Sequence, residues 1–215
     1  LRIPLRTKSG DVCRRFHADT VRDFAWGVSD KFAWDATRAV VGDRDGNGTA
    51  DTAAIHTFWL PGNAASKWPQ DARYARHSIE FLSSYLWPYP WPQMTAMQGP
   101  NSCGGMEYPM ITVIGLSGDA HSLDGVITHE VGHNWFYGIL AFNERDHAWM
   151  DEGMNTYYDT RYSLQQYGNT QLDIIPTNSA FIKKRMPDDI QHTILQTITG
   201  VKKDQPIETA LEKFN

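Results

Sequence analysis

Cysteine is scarce in this chain, whose 215 residues contain only Cys13 and Cys103. The two are too far apart for a Cys-x-x-Cys pair, and they read either as one disulfide or as two separate buried thiols. Long apolar runs are also missing. Without about 18 consecutive apolar residues, no segment reads as a membrane-spanning helix. Basic runs stop at Lys183-Lys184-Arg185, which reads as a solvated helix face. With a net charge of -5 and a pI near 5.9, this argues against a nucleic-acid partner. The chain does not begin with methionine, and Leu1-Arg2-Ile3-Pro4-Leu5-Arg6 is too short and too charged for a secretory leader. A trimmed start is therefore expected, and periplasmic, secreted and cytoplasmic locations all stay open. Internal repeats and low-complexity tracts are absent as well.

What is present fits a folded protein. At 41% hydrophobic and 21% charged residues the chain can bury a core, as one large domain or one domain plus part of another. Residues 1 to about 60 read as β structure, with short apolar and aromatic runs over Val12 to Trp26, Lys31 to Val41 and Ala53 to Leu60, closed by the turn residues Pro61-Gly62-Asn63. Within it, Asp43-Arg44-Asp45-Gly46-Asn47-Gly48-Thr49-Ala50-Asp51 carries calcium-loop oxygens at Asp43, Asp45, Asn47 and Asp51, with glycine at the sixth position. Ala54 stands where the closing bidentate carboxylate belongs, which favours a polar hairpin turn; calcium stays the alternative.

From Trp68 the period becomes helical, with Pro69 suited to a first turn and Ala75, Ile79, Leu82 and Leu86 on one stripe before Pro88. Pro88, Pro90 and Pro92 alternate with Trp87, Tyr89 and Trp91, an extended segment that is either a packed loop or a polyproline partner site. Gln93 to Ile114 supplies one or two strands. A helix is expected from Ser122, as N-cap, to about Gly138, with Ile127, Val131 and Trp135 as its apolar stripe and Val126, His129, Glu130 and His133 on a neighbouring face. A second is expected from His147 to Tyr167, stopped by Gly168, and another over 177 to 199 before a tail from Lys202.

His129-Glu130-Val131-Gly132-His133 carries the chemistry. Histidines four apart on a helix differ by about 40° in rotation and about 6 Å along the axis, so both imidazoles reach one metal. Subtracting 133 from 152 leaves 18 residues between the second histidine and Glu152, which lies in Trp149-Met150-Asp151-Glu152-Gly153 at the start of the second helix. A His-His-Glu set is a catalytic zinc donor set with a fourth position left for water, and Glu130 is placed to take the proton from that water. The pentapeptide alone also reads as two surface histidines on an amphipathic helix; Glu152 at this spacing argues against that. Asp151 and Asp159 are both candidates to orient a ligand histidine. His17, His56, His77, His121, His147 and His192 show no ligand spacing.

Upstream lies Gly104-Gly105-Met106-Glu107-Tyr108-Pro109, followed by the β-branched run from Ile111. Glycines before a strand allow close backbone approach, and a carboxylate there can line a cleft. Alone, the segment reads equally as a turn before an edge strand. Together with the zinc motif, His133-Asn134-Trp135-Phe136 and the Trp-x-x-Glu-Gly pattern, it resembles the zinc aminopeptidases of the gluzincin clan, the aminopeptidase N and leukotriene hydrolase family, specifically over about residues 100 to 160. The resemblance implies an α+β, thermolysin-like zinc catalytic lobe over 61–215, preceded over 1–60 by the last strands of a β-rich domain and truncated at its C-terminus.

It implies further that Glu107 binds the α-ammonium of peptides with a free N-terminus, helped by Gly104, Gly105 and Met106. Tyr108 departs from the family's commonest asparagine and reshapes the pocket beside that site. The family's oxyanion tyrosine stands about sixty to seventy residues past the glutamate ligand, so it is expected beyond Asn215; Tyr157, Tyr158, Tyr162 and Tyr167 are too near Glu152 and read as packing aromatics. The expected activity is aminopeptidase cleavage with one Zn(II) on His129, His133 and Glu152, and Glu130 as base. The rivals are a thermolysin-like endopeptidase, a leukotriene-hydrolase-like bifunctional enzyme and a non-catalytic zinc-bound scaffold.

Overall fold

The computed structural model describes residues 5–6, 12–13, 16–62, 70–100, 105–115 and 119–168. Two short strands, β1 (Leu5–Arg6) and β2 (Val12–Cys13), pair antiparallel. The main sheet has five strands: β3 (Ala33–Gly42), β4 (Asp51–Trp59), β5 (Gln93–Gln98), β6 (Gly105–Tyr108) and β7 (Ile111–Ile114), in the order β3-β4-β5-β7-β6. β3 and β4 form an antiparallel hairpin around the Asp43 to Asp51 loop. β5 lies parallel to both β4 and β7, and β6 returns antiparallel on β7. Gln93 to Ile114 thus supplies three strands rather than one or two, because the Pro109-Met110 turn folds four-residue β6 back on β7, with Met110 at φ +66°.

β4 alternates as a strand packed on one face should: Ala53, Ile55 and Thr57 are buried while Ala54, His56 and Phe58 are partly open. Helix α1 (Asp71–Tyr85) crosses from β4 to β5 and buries Ala75, Ile79 and Leu82 as its periodicity predicts. Helix α2 (Ala120–His133) sets Leu123, Ile127 and Val131 into the same core, and Trp135 follows just past its end. Val126 packs toward that core as well rather than toward the metal face. The proline-aromatic segment is a packed loop: Tyr89 and Trp91 are buried, Arg44 donates to their carbonyl oxygens at 2.7 and 2.8 Å, and Trp135 Nε1 donates to Trp87 O at 3.0 Å.

Other expectations change as well. Residues 16–32 form no strand; polar side chains interrupt their apolar run, and tertiary contacts through Arg22 hold them as a strap. Because Ala54 pairs with Gln93 in a parallel ladder, the sheet runs straight across the boundary expected between residues 60 and 61. The N-cap of α2 is Asp119 and not Ser122: its carboxylate accepts from Ser122 N at 2.7 Å, and a negative charge suits a helix N-terminus. Finally, both helices of the metal motif contain wider, π-helical turns, Asn134–Ile139 after α2 and Trp149–Gly153 before helix α3 (Met154–Tyr167), which Gly168 stops at φ +68°. Asn63, Trp68, Pro69, residues 177 to 199 with Lys183-Lys184-Arg185, and the tail from Lys202 lie outside the described residues. Among those described, no helix is long and apolar enough to cross a membrane.

Asp71 is a buried acid at the start of α1. Its Oδ1 accepts from Ala72 N at 2.7 Å while Oδ2 has no partner, and burial pushes its pKa from 3.8 up to about 7. The folded state therefore binds the proton more tightly than the unfolded chain, and stability drains away as pH rises from about 4 to about 7, by on the order of 4 kcal/mol. Asp71→Asn removes the ionisation. In denaturant unfolding, the variant is expected to gain on the wild type through that pH window and to hold a constant lead above it; a difference independent of pH would refute the assignment.

Candidate metal centre

α2 presents His129 and His133 one turn apart, with their Nε2 atoms 3.2 Å from each other. Glu152, on the π turn before α3, brings Oε2 to 3.2 Å from the first and 3.7 Å from the second. The outer ring nitrogens are taken: His129 Nδ1 meets Asp159 Oδ2 at 2.7 Å, and His133 Nδ1 bonds Asp151. An ionised carboxylate only accepts, so each Nδ1 carries a proton and each Nε2 turns a lone pair inward. Asp151 and Asp159 therefore both act as orienting groups, one for each histidine.

The electrostatics agree. Burial disfavours charge on His129, yet the Asp159 and Glu152 carboxylates outweigh it and push its pKa up to about 10, a field that equally favours a cation at Nε2. Burial opposes charge on His133 too, and Asp151 overrides it. Glu152 is held below the usual carboxylate range, chiefly by its bond with His129. Two inward imidazole nitrogens and one carboxylate oxygen, all within 4.8 Å of one another, match the chemistry of a catalytic zinc donor set. The residues fit the ion.

Glu130 lies beside this set, buried, with Oε2 unpartnered, and burial pushes its pKa up to about 7. It rests against β6: a Cβ at Gly105 would stand 1.8 Å from Glu130 Oε1, so this close approach needs the glycine. Glu107, two residues along β6, brings a carboxylate oxygen within 4.8 Å of Glu130 and His133, and burial raises its pKa. Met106 is exposed on the same strand, and Gly104 lies outside the described residues. The strap packs on the π turn after His133: the Arg22 guanidinium sits 4.6 Å over the Tyr137 ring and 3.3 Å from Glu144, and the Tyr137 hydroxyl reaches Asp23 at 3.5 Å.

Asp43, Asp45 and Asp51 also converge, but both Asp43 oxygens already accept backbone N–H groups from Gly46, Asn47 and Gly48, and Asn47 Oδ1 caps Thr49 N. These are the bonds of a hairpin turn. His56 bonds Trp34 and His121 stacks on Tyr167, both away from the centre; His192 and Cys103 lie outside the described residues.

Sequence reasoning missed Asn155, whose Nδ2 donates to His129 O at 2.7 Å. The signal was available, since Glu152, Asn155 and Asp159 recur at i, i+3 and i+7 on one helix face.

Comparison with known proteins agrees with this geometry. A model of the Peptidase family M1 domain matches residues 72–213. Leucine aminopeptidase 2 of Aspergillus oryzae is 34% identical over 93 residues, 41% of this chain and 14% of that protein. The protein of the same name from Phaeosphaeria nodorum is 36% identical over 87 residues, 38% of this chain and 14% of its own. The chain thus spans 14% of the length of each relative. An M1 zinc metallopeptidase from Deinococcus radiodurans shares the fold with a TM-score of 0.52 at 18% identity, over 84% of this chain and 37% of that one.

If Asp151 fixes the tautomer and tilt of His133, Asp151→Ala should weaken zinc binding about 10- to 100-fold. Chelator competition measures this, and an unchanged dissociation constant would remove Asp151 from the site.

Proposed function

The chain belongs to peptidase family M1, and on that premise we propose that it carries the catalytic centre of a zinc-dependent aminopeptidase, with His129, His133 and Glu152 holding Zn(II). The observation that carries the reading is the convergence of Glu107 with Glu130 and His133 at one end of the donor set. An ammonium-binding carboxylate beside the base makes an enzyme count from the N-terminus, whereas an endopeptidase has no use for one. When bound, zinc supplies Lewis acidity toward the scissile carbonyl and acidifies water.

The protein groups do the rest. Glu107 accepts a charge-assisted hydrogen bond from the substrate's α-ammonium and so fixes which peptide bond reaches the centre. Glu130, desolvated between α2 and β6, has a proton affinity near neutrality, which suits a group that takes a proton from the attacking water and returns it to the departing amine. Asp151 and Asp159 keep both imidazoles in the tautomer that the ligation needs. Gly105 and Met106 line the approach on β6, with Gly104 assigned to the same segment. In this reading the catalytic unit includes β3 and β4, since they belong to the sheet that carries Glu107.

Two outcomes test the assignment in the full-length protein assayed for bound zinc. A free-amine alanyl peptide should be cleaved and its N-acetylated twin left intact. Cleavage of both would point to an endopeptidase, and cleavage of neither with zinc in place to a scaffold. Glu107→Gln should lower kcat/KM on the free-amine peptide about 10- to 100-fold, the range of a lost hydrogen bond to a charged group. Glu130→Gln should keep its zinc and lose nearly all turnover; preserved turnover would rule it out as the base.

A further inference from the structure

Behind the metal centre, α2 and α3 are joined by a series of polar rungs. His133 bonds Asp151, His129 bonds Asp159 at 2.7 Å, and Asn155 donates to His129 O at 2.7 Å. The last rung lies farthest from the metal. Asp124, fully buried on α2, accepts from the Tyr162 hydroxyl at 3.0 and 3.2 Å and from the Tyr167 hydroxyl. Asp124 stands five residues before His129, and Tyr162 three residues after Asp159, so this rung and the Asp159 rung sit on successive turns of both helices.

We propose that Asp124, Tyr162 and Tyr167 act as positioning residues: by locking α3 in register on α2 they hold Asp159 at His129 and so set the geometry and affinity of the metal site. The proposal rests on the reading of His129, His133 and Glu152 as zinc ligands.

Three observations carry it. A fully buried carboxylate with no cation bonded to it is costly, and an apolar side chain of the same volume would pack the seam at least as stably. What the carboxylate adds is direction, since two phenolic donors on one acid fix the axial position of α3 whereas apolar contacts allow sliding. Next, apolar packing does not close the whole seam: a pocket of about 100 Å³ runs along it past this rung, lined on α2 from His121 and Gly125 to Thr128 and on α3 from Asp159 to Tyr167. The buried Ser163 hydroxyl has no partner. Leu123 and Ile127 pack with Tyr162 on the core side, and along the pocket side the polar rungs are what tie α2 to α3. Finally, α3 and its preceding π turn carry Glu152, Asp151, Asn155 and Asp159, so one slip of α3 moves a ligand and every orienting group together.

The test uses the full protein, stripped of metal and reloaded with zinc or cobalt(II). Tyr167→Phe leaves Asp124 its bonds from Tyr162 and should fold. The triple variant Asp124→Leu, Tyr162→Phe, Tyr167→Phe leaves no unpaired buried charge and should keep a metal-free melting temperature close to wild type. Both should bind zinc more weakly in chelator competition, the triple variant by about tenfold or more, and both should shift the visible cobalt(II) bands that report ligand geometry. A purely structural rung would move the melting temperature and leave those bands alone. Wild-type affinity and spectrum in either folded variant overturn the proposal. A wild-type protein that takes up no metal instead overturns the site reading on which it rests.

Discussion

Two imidazole nitrogens and a carboxylate oxygen brought within 3.2 to 3.7 Å of one another form the constraint on which this structure depends. Glu152 bonds His129, but the two imidazole nitrogens gain little from facing each other unless a cation is shared among all three groups. Their approach is held from outside, by Asp159 and Asp151 on the far ring nitrogens and by the packing of α2 against the sheet. Ile127 and Val131, fully buried, fix the helix's rotation about its axis, and that rotation fixes where His129 and His133 point. The core and the centre are two faces of one helix.

The π turns show how neighbouring residues are made to serve opposite ends of one ring. Asp151 reaches His133 Nδ1 while Glu152, next in sequence, reaches the Nε2 side. A regular helix turns about 100° per residue and gives adjacent side chains divergent directions. The wider turn over Trp149–Gly153 re-aims them, a use of such insertions that recurs at functional sites. The turn after His133 swings Trp135, Phe136 and Tyr137 inward, where Tyr137 receives the Arg22 strap.

Legibility followed locality. The His-Glu-x-x-His spacing, the apolar stripe of α1 and the stop at Gly168 are local patterns, and the structure keeps them. The parallel pairing of β4 with β5 spans the whole of α1, and nothing in either strand announces it, so the sheet crosses a boundary that turn residues at 61 to 63 had marked. Hydrophobic periodicity does not encode a π turn, which inserts a residue without altering which side chains are apolar. Ser122 looked like a cap by residue type, yet the helix starts one turn earlier, where the Asp119 carboxylate accepts from Ser122 N and adds a negative charge at the N-terminus. Asp151 and Asp159 were visible as alternatives, and only the folded geometry gives each its own histidine.

Charge balance ties the proposed roles together. Glu107, Glu130, Asp151, Glu152 and Asp159 surround only two histidines, and burial raises the pKa of Glu107, Glu130 and Asp159. Packing so many acids together is costly unless cations share the space. In the proposed reading two cations do: the metal on the His129 side and the substrate's ammonium at Glu107. Each offsets part of the negative charge that burial makes costly. A substrate with a blocked amine brings no such charge, and the cleft would discriminate against it by electrostatics as well as by a missing hydrogen bond.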